Sequence, residues 1–230
     1  MSTPMIGIHN RQGSFSDRWI EYCKKNEISF KILNAFSSSI IDDTRDIKAF
    51  MCHWSNGDFE TWLSAKQIVA ALEFTGLYSF PNLNTFWHYD DKIAQKYLLE
   101  AIDAPSPNTW IFYDREKAID WLNNNADFPL IFKLRRGAAS SNVRLIHSKK
   151  DALKLSRQAF RKGFVSTPSY FYDLKQKTRK LYSLKSLLST LMNMPKNLSK
   201  VMKSEKAFNP EKGYLYFQEF LPNNSYDTRV

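Results

Sequence analysis

Phe128-Pro129-Leu130-Ile131-Phe132-Lys133-Leu134 runs into Arg135-Arg136-Gly137-Ala138-Ala139-Ser140-Ser141-Asn142 and then into Val143-Arg144-Leu145-Ile146-His147. An apolar run ending in a lysine, a loop of mostly small residues and a second apolar-rich run read as two strands of a hairpin. A lysine at a strand end is held by the sheet, so its ammonium can be aimed at an anion. A loop of Gly, Ala and Ser lets backbone N–H groups approach phosphate oxygens without obstruction by side chains.

Upstream of this hairpin the chain alternates strand-like and helix-like segments. Residues 5–9, 28–33, 47–54 and 77–80 read as short strands, the last stopped by Pro81. Residues 15–26 carry Phe15, Trp19, Ile20 and Cys23 at helical spacing. Residues 58–76 do the same with Phe59, Trp62, Leu63, Ile68, Val69 and Leu72, with Asp58 placed to cap the start and Gly76 the end. Such alternation predicts a small parallel α/β unit over residues 1–81. Residues 82–230 form the second expected domain. Asn82, Asn84 and Thr85 read as a loop, and Asp90-Asp91-Lys92 opens a helix whose dipole favours early carboxylates. A strand at 109–113 and a helix at 116–124 precede the hairpin, and a helix at 151–161 and an aromatic strand at 214–221 follow it. Between these last two lies 166–210, a basic helical insert with Leu184, Leu187, Leu188 and Leu191 as its apolar stripe. That stripe is expected to be covered by its own domain or by a second copy of the chain in a homodimer.

Composition narrows the function classes. With 230 residues, 43% of them hydrophobic, the chain is long enough for a substantial core. No apolar run approaches the ~18 residues needed to span a bilayer, and no basic stretch precedes an apolar one at the N-terminus. Cys23 and Cys52 read as buried free thiols of a cytoplasmic protein. His9, His53, His88 and His147 lack metal-ligand spacing, and Trp54, Trp62, Trp87, Trp110 and Trp121 read as core positions. The net charge of +10 is uneven. Residues 131–212 hold 20 of the 33 Lys and Arg but only 4 of the 23 Asp and Glu. No nucleic-acid motif accompanies this block, so a specific nucleic-acid partner is not expected.

Five features occur in order: Asp91-Lys92 at a helix start, the 128–133 strand ending in Lys133, the small-residue loop, the strand Tyr216-Phe217-Gln218-Glu219-Phe220-Leu221-Pro222, and Asp227-Thr228-Arg229-Val230. The set resembles the ATP-grasp superfamily, most closely the branch with glutathione synthetases and ribosomal-protein glutamate ligases. The likeness covers roughly residues 82–165 and 212–230. For residues 1–81 it rests on the α/β alternation alone. It implies an α/β fold: a small pre-ATP-grasp-like domain, then an incomplete ATP-grasp domain. It further implies that Lys92 and Lys133 contact ATP phosphates, and that Gly137, Ala138, Ala139, Ser140 and Ser141 form a mobile lid. Gln218, Glu219, Phe220 and Leu221 would line the adenine and ribose pocket with Asp227 nearby. Arg229, the catalytic candidate, would face the phosphates or the acyl substrate. The implied reaction joins a small carboxylate or peptide substrate to an amine or thiol through an acylphosphate, with ATP and Mg2+.

Two departures bear on that reading. Gly137 is the lone glycine of a lid that is glycine-richer in the family. The family's magnesium ligands lie beyond the Asp-x-Arg-Val segment, within which this sequence ends. The expectation is therefore no metal ligand in this chain, a piece of a longer ligase or a natural truncation, and binding without turnover. The alternative reading is a non-catalytic protein whose block 131–212 holds an anionic partner or membrane surface.

Overall fold

The computed structural model describes residues 5–55, 59–136, 142–165 and 210–222. The expected cap Asp58, the loop 137–141, residues 166–209 of the insert with their leucine stripe, and the segment containing Asp227 and Arg229 lie outside the described residues. The chain divides into two compact units, Met1–Tyr89 and Asp90–Val230. Among the described residues no helix is long and apolar enough to cross a membrane.

The first unit is a parallel α/β layer structure. Its elements are β1 (Ile6–His9), α1 (Phe15–Lys25), β2 (Phe30–Leu33), α2 (Ile40–Asp43), β3 (Ala49–Cys52), α3 (Phe59–Phe74), β4 (Tyr78–Phe80) and α4 (Leu83–Phe86). The strands pair in the order β2-β1-β3-β4, all parallel. Period-two alternation sends Phe50 and Cys52 to one face, where they pack with Val69 and Leu72 of α3. Met51 joins Ile8 on the other face, against Ile20 and Cys23 of α1. Both cysteines are buried free thiols. Residues 82–85, expected as a loop, instead start a one-turn helix. Asn82 is a turn former and also an N-cap residue, and here its side chain accepts from Thr85 N at 3.0 Å. Trp54 and Trp62 are buried as expected, but Trp87 is exposed, because it follows that short helix rather than a core strand.

The second unit contains α5 (Lys92–Ala101), β5 (Thr109–Phe112), α6 (Arg115–Asn124), β6 (Leu130–Lys133), β7 (Val143–Ile146), α7 (Lys149–Ala159) and β8 (Leu215–Glu219). Its sheet is antiparallel, in the order β5-β8-β6-β7, so the last strand in sequence lies inside the sheet. The β6–β7 hairpin is the one read from the sequence. Leu130, Phe132, Leu215 and Phe217 share one face and pack with Leu122 of α6 and Leu155 of α7. Trp110, Phe112 and Trp121 pack against the same cluster. The opposite face carries Ile111, Tyr214 and Tyr216, which meet Ile93 of α5.

After α7, Phe164 and Glu211 form an isolated antiparallel bridge, each N–H donating to the other's carbonyl at 2.9 Å. Gly163, just before it, has φ +72, and a Cβ there would stand 2.6 Å from the Glu211 carbonyl oxygen. Gly76 also has positive φ, +82, but faces open space. Gly76→Ala should therefore cost only the left-handed penalty of about 1–2 kcal/mol. Gly163→Ala should cost that plus about 1–3 kcal/mol for forced displacement of packed backbone. Urea unfolding of both variants measures the difference, and equal losses would show that the close approach relaxes freely.

Candidate functional site

The strand alternation that buries Phe132 and Phe217 necessarily turns Lys133 and Gln218 to the face covered by α5. Register reinforces this: Ile131 pairs with Gln218 on one side of β8, and Thr109 pairs with Gln218 on the other. A cavity of about 160 Å³ opens there. Lys92, Lys133, Gln218, Thr109 and Tyr216 are among its lining residues. Lys133 Nζ donates to Gln218 Oε1 at 2.5 Å, and Gln218 Nε2 donates to Thr109 Oγ1 at 3.0 Å. The amide thus spans two strands and fixes the lysine's reach.

Lys92 arrives from a different element. Asp91 caps α5, its Oδ1 accepting from Ile93 N and Ala94 N at 3.0 Å each. The carboxylate expected within the first turn therefore acts as the cap itself, and Asp90 precedes it with φ +53. Lys92 N donates to Arg135 O at 2.9 Å, which ties the start of α5 to the end of β6. Arg135 Nε lies 3.6 Å from Asp91 Oδ1, and Arg136 Nε lies 3.6 Å from Glu211 Oε1. The Arg135 backbone N–H donates to Glu211 Oε2 at 3.0 Å and to the Tyr214 hydroxyl at 2.7 Å, and that hydroxyl donates to Glu211. Arg136 is buried, and the contact with Glu211 gives the guanidinium a counter-charge.

Both lysines are mostly withdrawn from water. Burial pulls the Lys133 ammonium below its ordinary pKa, and the nearby Lys92 charge adds to the effect. Burial also lowers Lys92, opposed in turn by the charges of Asp90, Glu211 and Asp91. Of the other charged lining residues, Lys96 and Glu100 pair with each other at 2.6 Å. Two desolvated ammonium groups from separate elements in one small cavity make a receptor for a multiply charged anion. The cavity is smaller than the roughly 300–1,000 Å³ of sites that engulf a small molecule. It suits a small anionic group rather than a large organic molecule. Among the described residues no group of three or more His, Cys, Asp or Glu is placed to hold a metal ion.

No protein-family model matches the sequence, and no curated protein matches it either. Solved structures do. A RimK-domain ATP-grasp protein from Sphaerobacter thermophilus superposes with a TM-score of 0.52 at 13% identity, over 96% of this chain and 65% of that one. This chain has the ATP-grasp fold. The biotin carboxylase domain of the Hydrogenobacter thermophilus 2-oxoglutarate carboxylase, solved with MgADP, ADP and bicarbonate, gives a TM-score of 0.50 at 13% identity. That match covers 95% of this chain and 44% of the carboxylase domain chain. The present sequence thus spans less than two thirds of either ATP-grasp protein.

Of the residues assigned by the ATP-grasp resemblance, the structure brings Lys92, Lys133 and Gln218 to one cavity. Glu219, Phe220 and Leu221 are not among the residues lining it. Glu219 Oε2 accepts from Asn108 N at 3.2 Å and from Asn108 Nδ2 at 2.8 Å. Gly137, Ala138, Ala139, Ser140, Ser141, Asp227 and Arg229 lie outside the described residues. Sequence reasoning missed Thr109, Tyr216 and the Glu211–Tyr214 pair. The alternation of Tyr214, Tyr216 and Gln218 with Leu215 and Phe217 was the signal that could have placed them on one face.

The lowered lysines carry a pH signature. In the unfolded chain their pKa returns upward, so the unfolded state binds more protons between the lowered folded pKa and the ordinary lysine value of 10.5. Stability linked to Lys92 and Lys133 should therefore rise with pH through that alkaline window. NMR titration of reductively methylated lysines should show two resonances, lost in Lys92→Arg and Lys133→Arg, that titrate below the rest. Uniform titration of all lysines would refute the desolvation argument.

Proposed function

We propose that the second unit binds ATP and that the parent reaction is ATP-dependent joining of a carboxylate to an amine or thiol. The observation that carries this reading is the pair of desolvated lysines, Lys92 and Lys133, sharing one cavity. The ATP-grasp fold supports it, as does the MgADP held by the Hydrogenobacter protein. On this reading the first unit is a pre-ATP-grasp-like domain and the second belongs to an ATP-grasp domain.

The lysines would neutralise phosphate oxygens, with Lys133 positioned by Gln218. β8 lies between β5 and β6, so its backbone groups are engaged within the sheet. Recognition of a base edge would then fall to the backbone of Phe220 and Leu221, beyond the ladder. Glu219, held on Asn108, would stand beside the ribose with Asp227. Residues 137–141 would cover the phosphates, and Arg229 would stabilise charge on the transferred group or acyl substrate. A carboxylate oxygen attacks the γ-phosphorus and ADP leaves. The amine or thiol then attacks the acyl carbon, loses its proton and expels phosphate. Mg2+ would supply further neutralisation of phosphate charge in such a reaction, and among the described residues no group of three or more His, Cys, Asp or Glu is placed to hold it.

ATP or ADP at millimolar concentration should raise the melting temperature of the folded chain, since a ligand bound only by the native state stabilises it. Removing a charge-assisted contact costs roughly 1.5–3 kcal/mol, so Lys133→Ala should weaken nucleotide affinity about tenfold to a hundredfold. Lys150→Ala, an exposed helix position, should not. Absence of any thermal shift with the wild-type chain would count against nucleotide binding.

A further inference from the structure

The first unit holds a larger cavity that the nucleotide reading does not use. It measures about 460 Å³, within the roughly 300–1,000 Å³ typical of small-molecule sites. Trp54 and Phe86 are buried residues of its lining, while Phe15, Phe80 and Tyr89 are large aromatic side chains left substantially exposed. Trp19 joins them, its ring 5.9 Å from that of Phe80 and 6.3 Å from that of His53. Exposed aromatic surface gathered around a concavity is unusual for a solvated rim and favours a planar apolar guest.

Its position follows from topology. β1 connects onward to β2 on one side, while β3 adds on β1's other side, so the chain changes direction between β1 and β3. Parallel sheets bind ligands beyond the carboxyl ends of their strands at such a point. His53 follows β3, Phe80 ends β4, and Phe15 and Trp19 lie on the helix after β1.

The polar groups fix the sign of the guest. Among the described residues, none that lines it is acidic. His53 receives two contacts from Arg11: Nε donates to its backbone carbonyl at 3.2 Å, and an Nη2 hydrogen reaches Nδ1 at 3.1 Å. A guanidinium only donates, so Nδ1 is the acceptor and the neutral ring carries its proton on Nε2. Burial and the Arg11 charge both hold the imidazole below its ordinary pKa, consistent with that neutral tautomer. Arg11 has no carboxylate partner among the described residues, and the rest of its fork is available to an anion. Arg11 is not itself among the lining residues and reaches the cavity through His53, so a cationic guest would find a positive charge behind that ring rather than a counter-ion. Cys52 is also in the lining, but burial pushes its thiol up to about 12, so it serves as apolar wall rather than as a nucleophile.

We propose that this pocket binds a planar apolar carboxylate, its ring among Trp19, Phe80 and Tyr89 and its carboxylate met by the His53 N–H, with the Arg11 guanidinium behind that imidazole supplying the positive charge. The site is contained in the first unit and stands independently of nucleotide binding in the second.

Calorimetric titration of the full chain with trans-cinnamate and with cinnamamide, its uncharged counterpart, tests it. Cinnamate should bind saturably, and cinnamamide at least about tenfold more weakly, because only the carboxylate makes charge-assisted hydrogen bonds. Arg11→Met should bring the two affinities together. Phe80→Ala, at an exposed position where folding should be retained, should weaken both several-fold. Lys133→Ala should leave cinnamate binding unchanged, which separates this site from the nucleotide reading. No saturable binding at millimolar cinnamate, equal affinity for acid and amide, or indifference to Phe80→Ala would overturn the proposal.

Discussion

An ammonium group withdrawn from water needs a polar partner, and in the second unit the geometry around Lys133 supplies one. Gln218 accepts from the lysine and donates to Thr109, so one amide links three strands. This arrangement is available only because β8 lies between β5 and β6. An edge placement of β8 would give Gln218 a single neighbouring strand and leave the lysine's reach undefined. The hydrophobic residues of the same strands enforce the placement. Phe132 and Phe217 are fully or nearly fully buried against α6 and α7, and a one-residue slip would turn them into the α5 face.

A second set of contacts brings Lys92 to the same place. The Lys92 N–H on the Arg135 carbonyl and the Asp91 cap beside the Arg135 guanidinium join the start of α5 and the end of β6 into one body. Glu211 and Tyr214 extend this body to the segment leading into β8. The lysines thus share a cavity because the start of α5 is hydrogen-bonded to the end of β6, while Gln218 holds the Lys133 side chain in place.

Much of this was legible in the chain. Helical and strand periodicities located the main elements, since 3.6-fold and twofold patterns report directly on burial. The 128–147 hairpin is there with the registers that its alternation implies. The four-residue helices α2 and α4 were not anticipated, because one turn offers too few residues to establish a period. Trp87 was assigned to the core on residue type, yet its exposure is decided by which way a one-turn helix points. The place of Lys133 at a strand end, where the sheet holds it, was readable. Its bond to Gln218 was not, because the two residues are distant in sequence and meet only through sheet order. The aromatic pocket of the first unit was invisible for the same reason: Phe15, His53, Phe80 and Tyr89 come from separate elements, and alone each reads as an ordinary aromatic residue or histidine.

The bridge between Phe164 and Glu211 has a meaning for the gene as well as for the fold. Antiparallel partners that exchange both hydrogen bonds place their Cα atoms about 5.5 Å apart, a gap that a short turn can span. The stretch encoded between these two codons therefore begins and ends at neighbouring points of the unit, a narrow gate. The cost of closing a loop grows only logarithmically with its length, so the gate tolerates inserts of very different size. The basic stretch is thus a cassette. Lineages could lengthen, shorten or exchange it while the sheet, the two lysines and the cavity between them stay as they are.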